Sequence, residues 1–251
     1  MSFKDHFSTN AHNYARFRPG YPKELFSFLF SLTKSCHGER SRTTAWDCGT
    51  GNGQAAIELA QYYDKVIATD PSAEQIKNSF PHPKVEYRVE SAEKNSISSG
   101  CLDLLTVSNA LHWFNWDVFY KEVLRVLKKD GIIAAWAYAT PFVNPAVDKI
   151  IKHFHDVMIG PFWQHENRLV EHGYKDVPFP FERISAPEFV YEKQMTLDEF
   201  IGFLNTWSAT QRYILANKIN PTDELKSLLS NVWNGAEKKV SWDLILRVGR
   251  V

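Results

Sequence analysis

Between about residues 22 and 138 the chain alternates short apolar runs with amphipathic stretches. Leu25, Phe26, Leu29 and Phe30 recur at helical spacing, and Pro22 stands where it can open the helix that carries them. Thr44-Ala45-Trp46 predicts a short buried strand leading into Asp47. Gly53 to Tyr63 reads as a helix with Ile57, Leu59 and Ala60 on its apolar positions. Lys65 to Thr69 predicts a second strand ending at Asp70, Ser72 to Ser79 a short helix, Val85 to Val89 a third strand and Leu102 to Val107 a fourth. From Trp116 to Leu127 the apolar positions Val118, Phe119, Val123, Leu124 and Leu127 keep spacings of three and four. Lys128, Lys129 and Gly131 then supply terminal cations and a turn glycine. Ile132 to Tyr138 is a fifth strand, apolar on both faces. Such strands alternating with helices predict an α/β fold, a parallel sheet covered by helices on both sides.

After Thr140-Pro141 the texture changes. Residues 141–235 are rich in aromatics and prolines, with helical pieces over Pro145 to Met158, Leu197 to Thr206 and Thr222 to Trp233. Val240 to Val248 alternates again and predicts a late strand returning to the main sheet. The chain therefore divides into a ligand-binding core with an N-terminal arm over residues 1–140, a substrate cap inserted over 141–235, and a returning strand over 236–251.

Composition narrows the function. The 251 residues are 44% hydrophobic with eight Trp, enough for one large core. Twenty-nine basic and 29 acidic side chains cancel, which argues against a protein that binds nucleic acid through a broad basic face. Cys36, Cys48 and Cys101 form no C-x-x-C pair, so neither a disulfide framework nor a cysteine zinc site is expected. Reduced thiols and a cytoplasmic location are the simplest reading. The first residues lack the apolar core of a signal peptide, and the run from Leu25 to Leu32 is too short to span a bilayer. Monomer and homodimer both stay open.

The most informative stretch is Trp46-Asp47-Cys48-Gly49-Thr50-Gly51-Asn52-Gly53. A strand ends, glycines turn the chain and a helix begins, so backbone amides can face a ligand. Seventeen residues beyond Gly53 comes Asp70, placed to accept two ribose hydroxyls. Gly51-x-Gly53-x-x-Ala56 also fits a dinucleotide fingerprint. Asp47 decides between the two, because an acid ahead of the turn repels a pyrophosphate and tolerates a cationic ligand. Tyr-x-x-x-Lys, which a short-chain dehydrogenase would use, is absent from the sequence. Ala92-Glu93 follows the third strand, and Ser108 to Phe114, with His112-Trp113-Phe114, follows the fourth.

Together these motifs resemble the class I S-adenosylmethionine-dependent methyltransferases, and among them the small-molecule group that includes trans-aconitate methyltransferase. Phe7-Ser8-x-x-Ala11-x-x-Tyr14-x-x-x-Arg18-Pro19-x-Tyr21-Pro22 is similar to the same group. The resemblance covers roughly residues 5–140 and fades in the cap. It implies a Rossmann-like, seven-stranded, mostly parallel sheet with a C-terminal helical and aromatic cap. It implies S-adenosylmethionine as cofactor and S-adenosylhomocysteine as product, with a small acceptor such as a carboxylate. Asp47, Gly49, Gly51 and Gly53 would surround the methionine moiety, Asp70 would hold the ribose, and Pro71 and Ser72 would flank it. Ala92 and Glu93 would meet the adenine. Asn109, Ala110 and His112 would line the sulfonium side, and Tyr14 and Arg18 would close over cofactor and substrate.

Each of these residues has a plainer reading. His112 caps a helix or satisfies a backbone group, or it touches the methyl donor and serves as a catalytic base. Arg18 is a surface charge or a guanidinium aimed at a carboxylate. Trp113 and Trp207 are core residues or walls of a substrate pocket, and for Trp136 the core is favoured. His153 and His155, at i and i+2, point apart on a helix, so no metal site is expected. Two alternatives to catalysis by methyl transfer remain: a cofactor-binding regulatory protein without activity, and a nicotinamide-dependent oxidoreductase.

Overall fold

The computed structural model describes residues 17–34 and 42–251. Tyr14, Cys36 and the motif positions before Phe17 lie outside the described residues. The chain opens with α1 (Lys23–Lys34), β1 (Thr44–Cys48), α2 (Gln54–Leu59), β2 (Lys65–Asp70), α3 (Ala73–Lys77), β3 (Val85–Val89) and β4 (Leu102–Ser108). A 3-10 turn at Leu111–Trp113 leads to α4 (Trp116–Val126) and β5 (Leu127–Tyr138). Next come α5 (Pro145–His153), continued by a π-turn at Phe154–Met158, then α6 (His165–Glu171), β6 (Glu182–Ile184) and β7 (Val190–Thr196). Three helices follow, α7 (Leu197–Asn205), α8 (Ser208–Asn217) and α9 (Pro221–Ser230), before β8 (Glu237–Arg250).

The sheet runs β3-β2-β1-β4-β5-β8-β6, and β7 pairs with β8 beside that path. Seven strands thus follow one continuous path, as the resemblance implies, and β7 makes an eighth. β1 to β5 are parallel to their neighbours, whereas β8 runs antiparallel to β5, β6 and β7. The antiparallel return is long because one edge of β8 serves two strands, its first half pairing β7 and its last residues pairing β6. The strand order reverses between β1 and β4, which opens a crevice at the carboxyl ends of those strands.

Strand periodicity divides the interior into two cores. On β5, Ile132, Ala134, Trp136 and Tyr138 face the core under α1 and α2. Ile133, Ala135 and Ala137 face the core under α4. That alternation explains why the strand reads as apolar on both faces. Trp136 is wholly buried, as favoured. Helix caps fit their local sequences: the Asn144 side chain accepts from Ala146 and Val147 ahead of Pro145, and Thr196 with Glu199 forms a capping box at α7.

Several expectations need correction. α2 is shorter than Gly53 to Tyr63, and its buried face is Ala55, Ala56 and Leu59, with Ile57 half-buried beside an open cleft. On α4 the buried stripe is Phe119, Tyr120, Val123 and Val126, whereas Val118 and Leu124 are exposed. Those two positions lie outside the arc that faces the sheet. Lys128 serves the sheet instead of a helix end, its Nζ lying 2.6 Å from the buried Asp103 carboxylate. The left-handed residue of that turn is Asp130, with φ 64°. Beyond the three expected helical pieces, residues 141–235 also contribute α6, α8 and the two strands β6 and β7. Their apolar faces are short or interrupted, so period alone does not mark them.

β8 ties this later region to the core through Trp242, fully buried against Phe203, Tyr191 and Tyr138 at ring distances of 5.4, 6.0 and 6.5 Å. We expect Trp242→Ala to lower stability by about 3–5 kcal/mol. Urea unfolding checks this, and an unshifted midpoint would show that α7 is held by other contacts.

Candidate active site

The crevice collects residues from the ends of four parallel strands: Asp47 from β1, Asp70 from β2, Ala92 and Glu93 after β3, and Ser108 to Trp113 after β4. The turn after β1 has Gly49, Gly51 and Gly53 at φ 69°, 56° and 88°. Two of these glycines are required by space as well as by backbone angle. A Cβ on Gly49 would fall 2.7 Å from the Ala110 Cβ, and one on Gly53 would collide with the Tyr87 hydroxyl. The loop therefore lies close against its neighbours, and its amides are engaged within the protein: those of Gly49 and Thr50 donate to the Thr69 carbonyl, that of Gly51 to Asp70 and that of Gly53 to the Thr50 carbonyl. Because α2 has only six residues, its dipole contributes little, and the turn and its flanking carboxylates define the site.

Asp47 is completely buried. Its carboxylate accepts from Thr50 Oγ1 at 2.5 Å and from Thr106 Oγ1 at 3.0 Å. Burial pushes its pKa up from 3.8 to about 6; the two threonine hydrogen bonds oppose the shift and the charge of Asp70 adds to it. Asp70 is pinned by backbone amides, Gly51 N–H donating to Oδ2 and Ser72 N–H to Oδ1, each at 2.9 Å. Ser72 in turn caps α3 by accepting from Gln75 N–H. The two carboxylates thus hold adjacent residues of the glycine turn, Asp47 taking the Thr50 hydroxyl and Asp70 the Gly51 amide. Pro71 stands between Asp70 and the Ser72 cap. Ala92 is buried, and Glu93 accepts from the Asn115 amide at 2.9 Å at the entry to α4.

Asn109 adopts a left-handed backbone, φ 52°, which asparagine tolerates. Its side chain accepts from Tyr138 N–H at 3.0 Å and donates to the Tyr21 hydroxyl at 3.0 Å. Tyr21 also stacks on Tyr138, ring centroids 5.2 Å apart. His112 is buried, with Nδ1 3.0 Å from the Tyr174 hydroxyl and its ring 4.8 Å from Trp113. Burial first, and then the positive charge of Arg18, lower its pKa to about 3. Its imidazole is neutral near pH 7 and a poor proton acceptor.

Arg18 is half-buried: its guanidinium donates to the Thr206 carbonyl at 3.3 Å and lies 5.7 Å from the Phe203 ring. Trp113 is half-buried on the 3-10 turn. Trp207 sits inside an aromatic cluster, 5.6 Å from Trp163 and 5.9 Å from Phe203. His155 is engaged with Asp156 at 2.7 Å and Glu171 at 3.5 Å, and no metal-binding group occurs among the described residues. Cys48 and Cys101 are free thiols.

Sequence reasoning missed Thr50, Thr106, Tyr87 and Tyr174. Thr50 lies inside the glycine motif, so it was within reach; the others come from strand register or distant packing.

The buried Asp47 makes a pH test possible. Its folded-state pKa lies above the unfolded value, so its contribution to stability is complete below pH 3.8 and is lost as pH rises through about 6. Relative to Asp47→Asn, the native protein should lose about 3 kcal/mol across that window. Urea midpoints of both proteins from pH 3.5 to 7.5 check this, and parallel curves would place Asp47 in water.

Comparison with known proteins agrees with this arrangement. A methyltransferase-domain profile matches residues 46–135, which run from β1 into β5. A Dictyostelium discoideum protein named as a methyltransferase is 34% identical over 230 residues, covering 90% of this chain and 86% of its own. A Saccharomyces cerevisiae protein named as an S-adenosylmethionine-dependent methyltransferase is 22% identical over 92% of this chain and 91% of its own. A solved structure from Anaeromyxobacter dehalogenans, named as a type II methyltransferase, superposes with a TM-score of 0.83 at 33% identity over 93% of this chain and 98% of that one. With the crevice at the β1–β4 switch, the acid ahead of its glycine turn and relatives spanning nearly the whole chain, this protein belongs to the class I S-adenosylmethionine-dependent methyltransferases.

Proposed function

We propose that the protein transfers a methyl group from S-adenosylmethionine to a small acceptor, with a carboxylate as the acceptor class that fits best. The observation carrying the cofactor reading is the glycine turn gripped between Asp47 and Asp70. When bound, S-adenosylmethionine supplies a methyl group on a positively charged sulfur and leaves S-adenosylhomocysteine. Ala110 and Tyr87 fill the space a Cβ would take at Gly49 and Gly53, and the amides of Gly49, Thr50, Gly51 and Gly53 donate within the protein, so the turn is held in shape before a ligand arrives. Asp47, Gly49, Gly51 and Gly53 surround the cationic methionine end. Asp70, held in place by two amides, accepts the ribose hydroxyls, with Pro71 and Ser72 beside it. Ala92 and Glu93 border the adenine.

On the other side of the crevice, Asn109, Ala110 and His112 line the sulfonium position. Arg18 supplies a cation suited to a carboxylate of cofactor or substrate. Trp113 walls the acceptor pocket, and Trp207 supports it from behind through Phe203. His112 is the catalytic residue in the sense of contact with the acceptor, and as a neutral ring it positions more readily than it deprotonates. An acceptor that arrives ionised needs no base, which supports a carboxylate. Catalysis then consists of alignment and exclusion of water. Residues 1–140 form the cofactor core and 141–235 the cap that selects the acceptor; 236–251 lock the cap to the sheet. No helix among the described residues is long and apolar enough to cross a membrane.

Asp70→Ala should weaken S-adenosylmethionine binding by about 10- to 100-fold, since charged hydrogen bonds are lost. Titration calorimetry checks this, and unchanged affinity would remove Asp70 from the site. Affinity should also depend on pH. A cationic ligand favours ionised Asp47, while the free protein keeps it protonated below about pH 6. Binding at pH 5 must release that proton, so affinity should rise about tenfold from pH 5 to 7. Asp47→Asn should flatten that rise; a rise that persists in the variant would assign the proton elsewhere.

A further inference from the structure

Tyr174 stands 62 residues beyond His112, yet its hydroxyl lies 3.0 Å from His112 Nδ1. It follows α6 in the turn that begins at Gly173, and both residues are left-handed, with φ 65° at Gly173 and 57° at Tyr174. A bulky aromatic rarely adopts that conformation, because its Cβ crowds the following carbonyl. The strain is held from two sides. Tyr174 N–H donates to the Leu169 carbonyl at 2.7 Å, and its own carbonyl accepts from Arg247 of β8 at 2.9 Å. Arg247 also donates to the Val177 carbonyl at 2.6 Å, and its guanidinium lies 4.7 Å from the Phe179 ring. α6 itself packs on the Leu111–Trp113 turn that carries His112. The chain thus spends backbone strain to bring one phenol against one imidazole, which is the kind of feature found at functional sites.

The Tyr174 side chain is wholly buried, and His112 is its one hydrogen-bond partner among the described residues. A phenol O–H is a better donor than its oxygen is an acceptor, and a buried O–H left without an acceptor is costly. The hydroxyl therefore donates to Nδ1. A neutral imidazole carries a single N–H, which must then sit on Nε2. His112 is neutral at physiological pH, since burial and Arg18 hold its pKa near 3.

We propose that Tyr174 is a positioning residue that locks His112 in the Nε2–H tautomer, so that the ring offers a hydrogen-bond donor, and no base, to the methyl acceptor. This rests on the methyltransferase reading for its consequence, and it sharpens the acceptor class to an oxygen that has no proton to lose, as in a carboxylate. An alcohol, phenol or protonated amine would find no proton acceptor at this position.

Imidazole 15N NMR of the protein without ligand tests the tautomer. Nine histidines make assignment necessary, and His112→Gln identifies the pair of resonances that disappears. At pH 7 the expected pair is a protonated Nε2 and an unprotonated, hydrogen-bonded Nδ1. In Tyr174→Phe, which keeps the ring and removes the hydroxyl, the two resonances should move toward each other as both tautomers become populated. A protonated Nδ1 in the native protein, or nitrogen shifts unmoved in Tyr174→Phe, would overturn the proposal. If the variant fails to fold, the native spectrum alone decides. Failure of S-adenosylmethionine to bind in calorimetry would overturn the methyltransferase reading while leaving the tautomer result standing.

Discussion

Asp47 is a carboxylate buried at the end of a central strand, between two threonines and a turn of glycines. Taking such a group out of water is unfavourable, and the cost shows as a pKa raised to about 6. Much of the surrounding geometry follows from containing that cost. Thr50 must fold back over the turn to reach it, and Thr106 must face it from β4, which fixes the β1–β4 register at the crevice. Thr50 can fold back only if glycines on either side of it take left-handed angles. Asp70 then secures the far side of the same turn through the Gly51 amide. The result is a concentration of negative charge beside a backbone surface, which suits a compact cation and disfavours a diphosphate.

The opposite wall is built on a different principle. Here the charged group is Arg18, and the polar side chains are neutral: Asn109, His112, Tyr21 and Tyr174. Asn109 links β4, β5 and Tyr21 in one small network, so the segment before α1 is anchored at the mouth of the crevice. Tyr138 strengthens that anchor by donating to the Pro19 carbonyl at 2.7 Å. Arg18 ties the same segment to the end of α7. Three regions distant in sequence therefore meet around this wall of the crevice.

The long β8 holds these parts together. It closes the sheet against β5, carries Trp242 into the interface with α7, and sends Arg247 to the turn that strains Tyr174. Its early half pairs β7, whose Tyr191 packs on both Trp242 and Gly20. Residues 190–205 are thus fastened by the last strand in sequence, so their geometry depends on contacts made late in the chain.

The local sequence by itself determined the alternation of strands and helices up to Tyr138, the glycine turn, and the acids at the ends of β1 and β2. It could do so because period-two and period-3.6 patterns, glycine angles and strand-end acids are properties of neighbouring residues. Asn109 and His112 follow the fourth strand, and the resemblance to the methyltransferases implied their place at the site. Tertiary structure alone decided that Val118 and Leu124 of α4 face water, that Lys128 reaches Asp103, and that Trp207 sits among Phe154, Trp163 and Phe203. It alone decided the partners that give Asp47 and His112 their chemistry: Thr106 across 59 residues, Tyr174 across 62, and Arg18 from the segment before α1. Burial and charge are set by what packs around a group in space, and no spacing along the chain encodes neighbours that arrive from another strand.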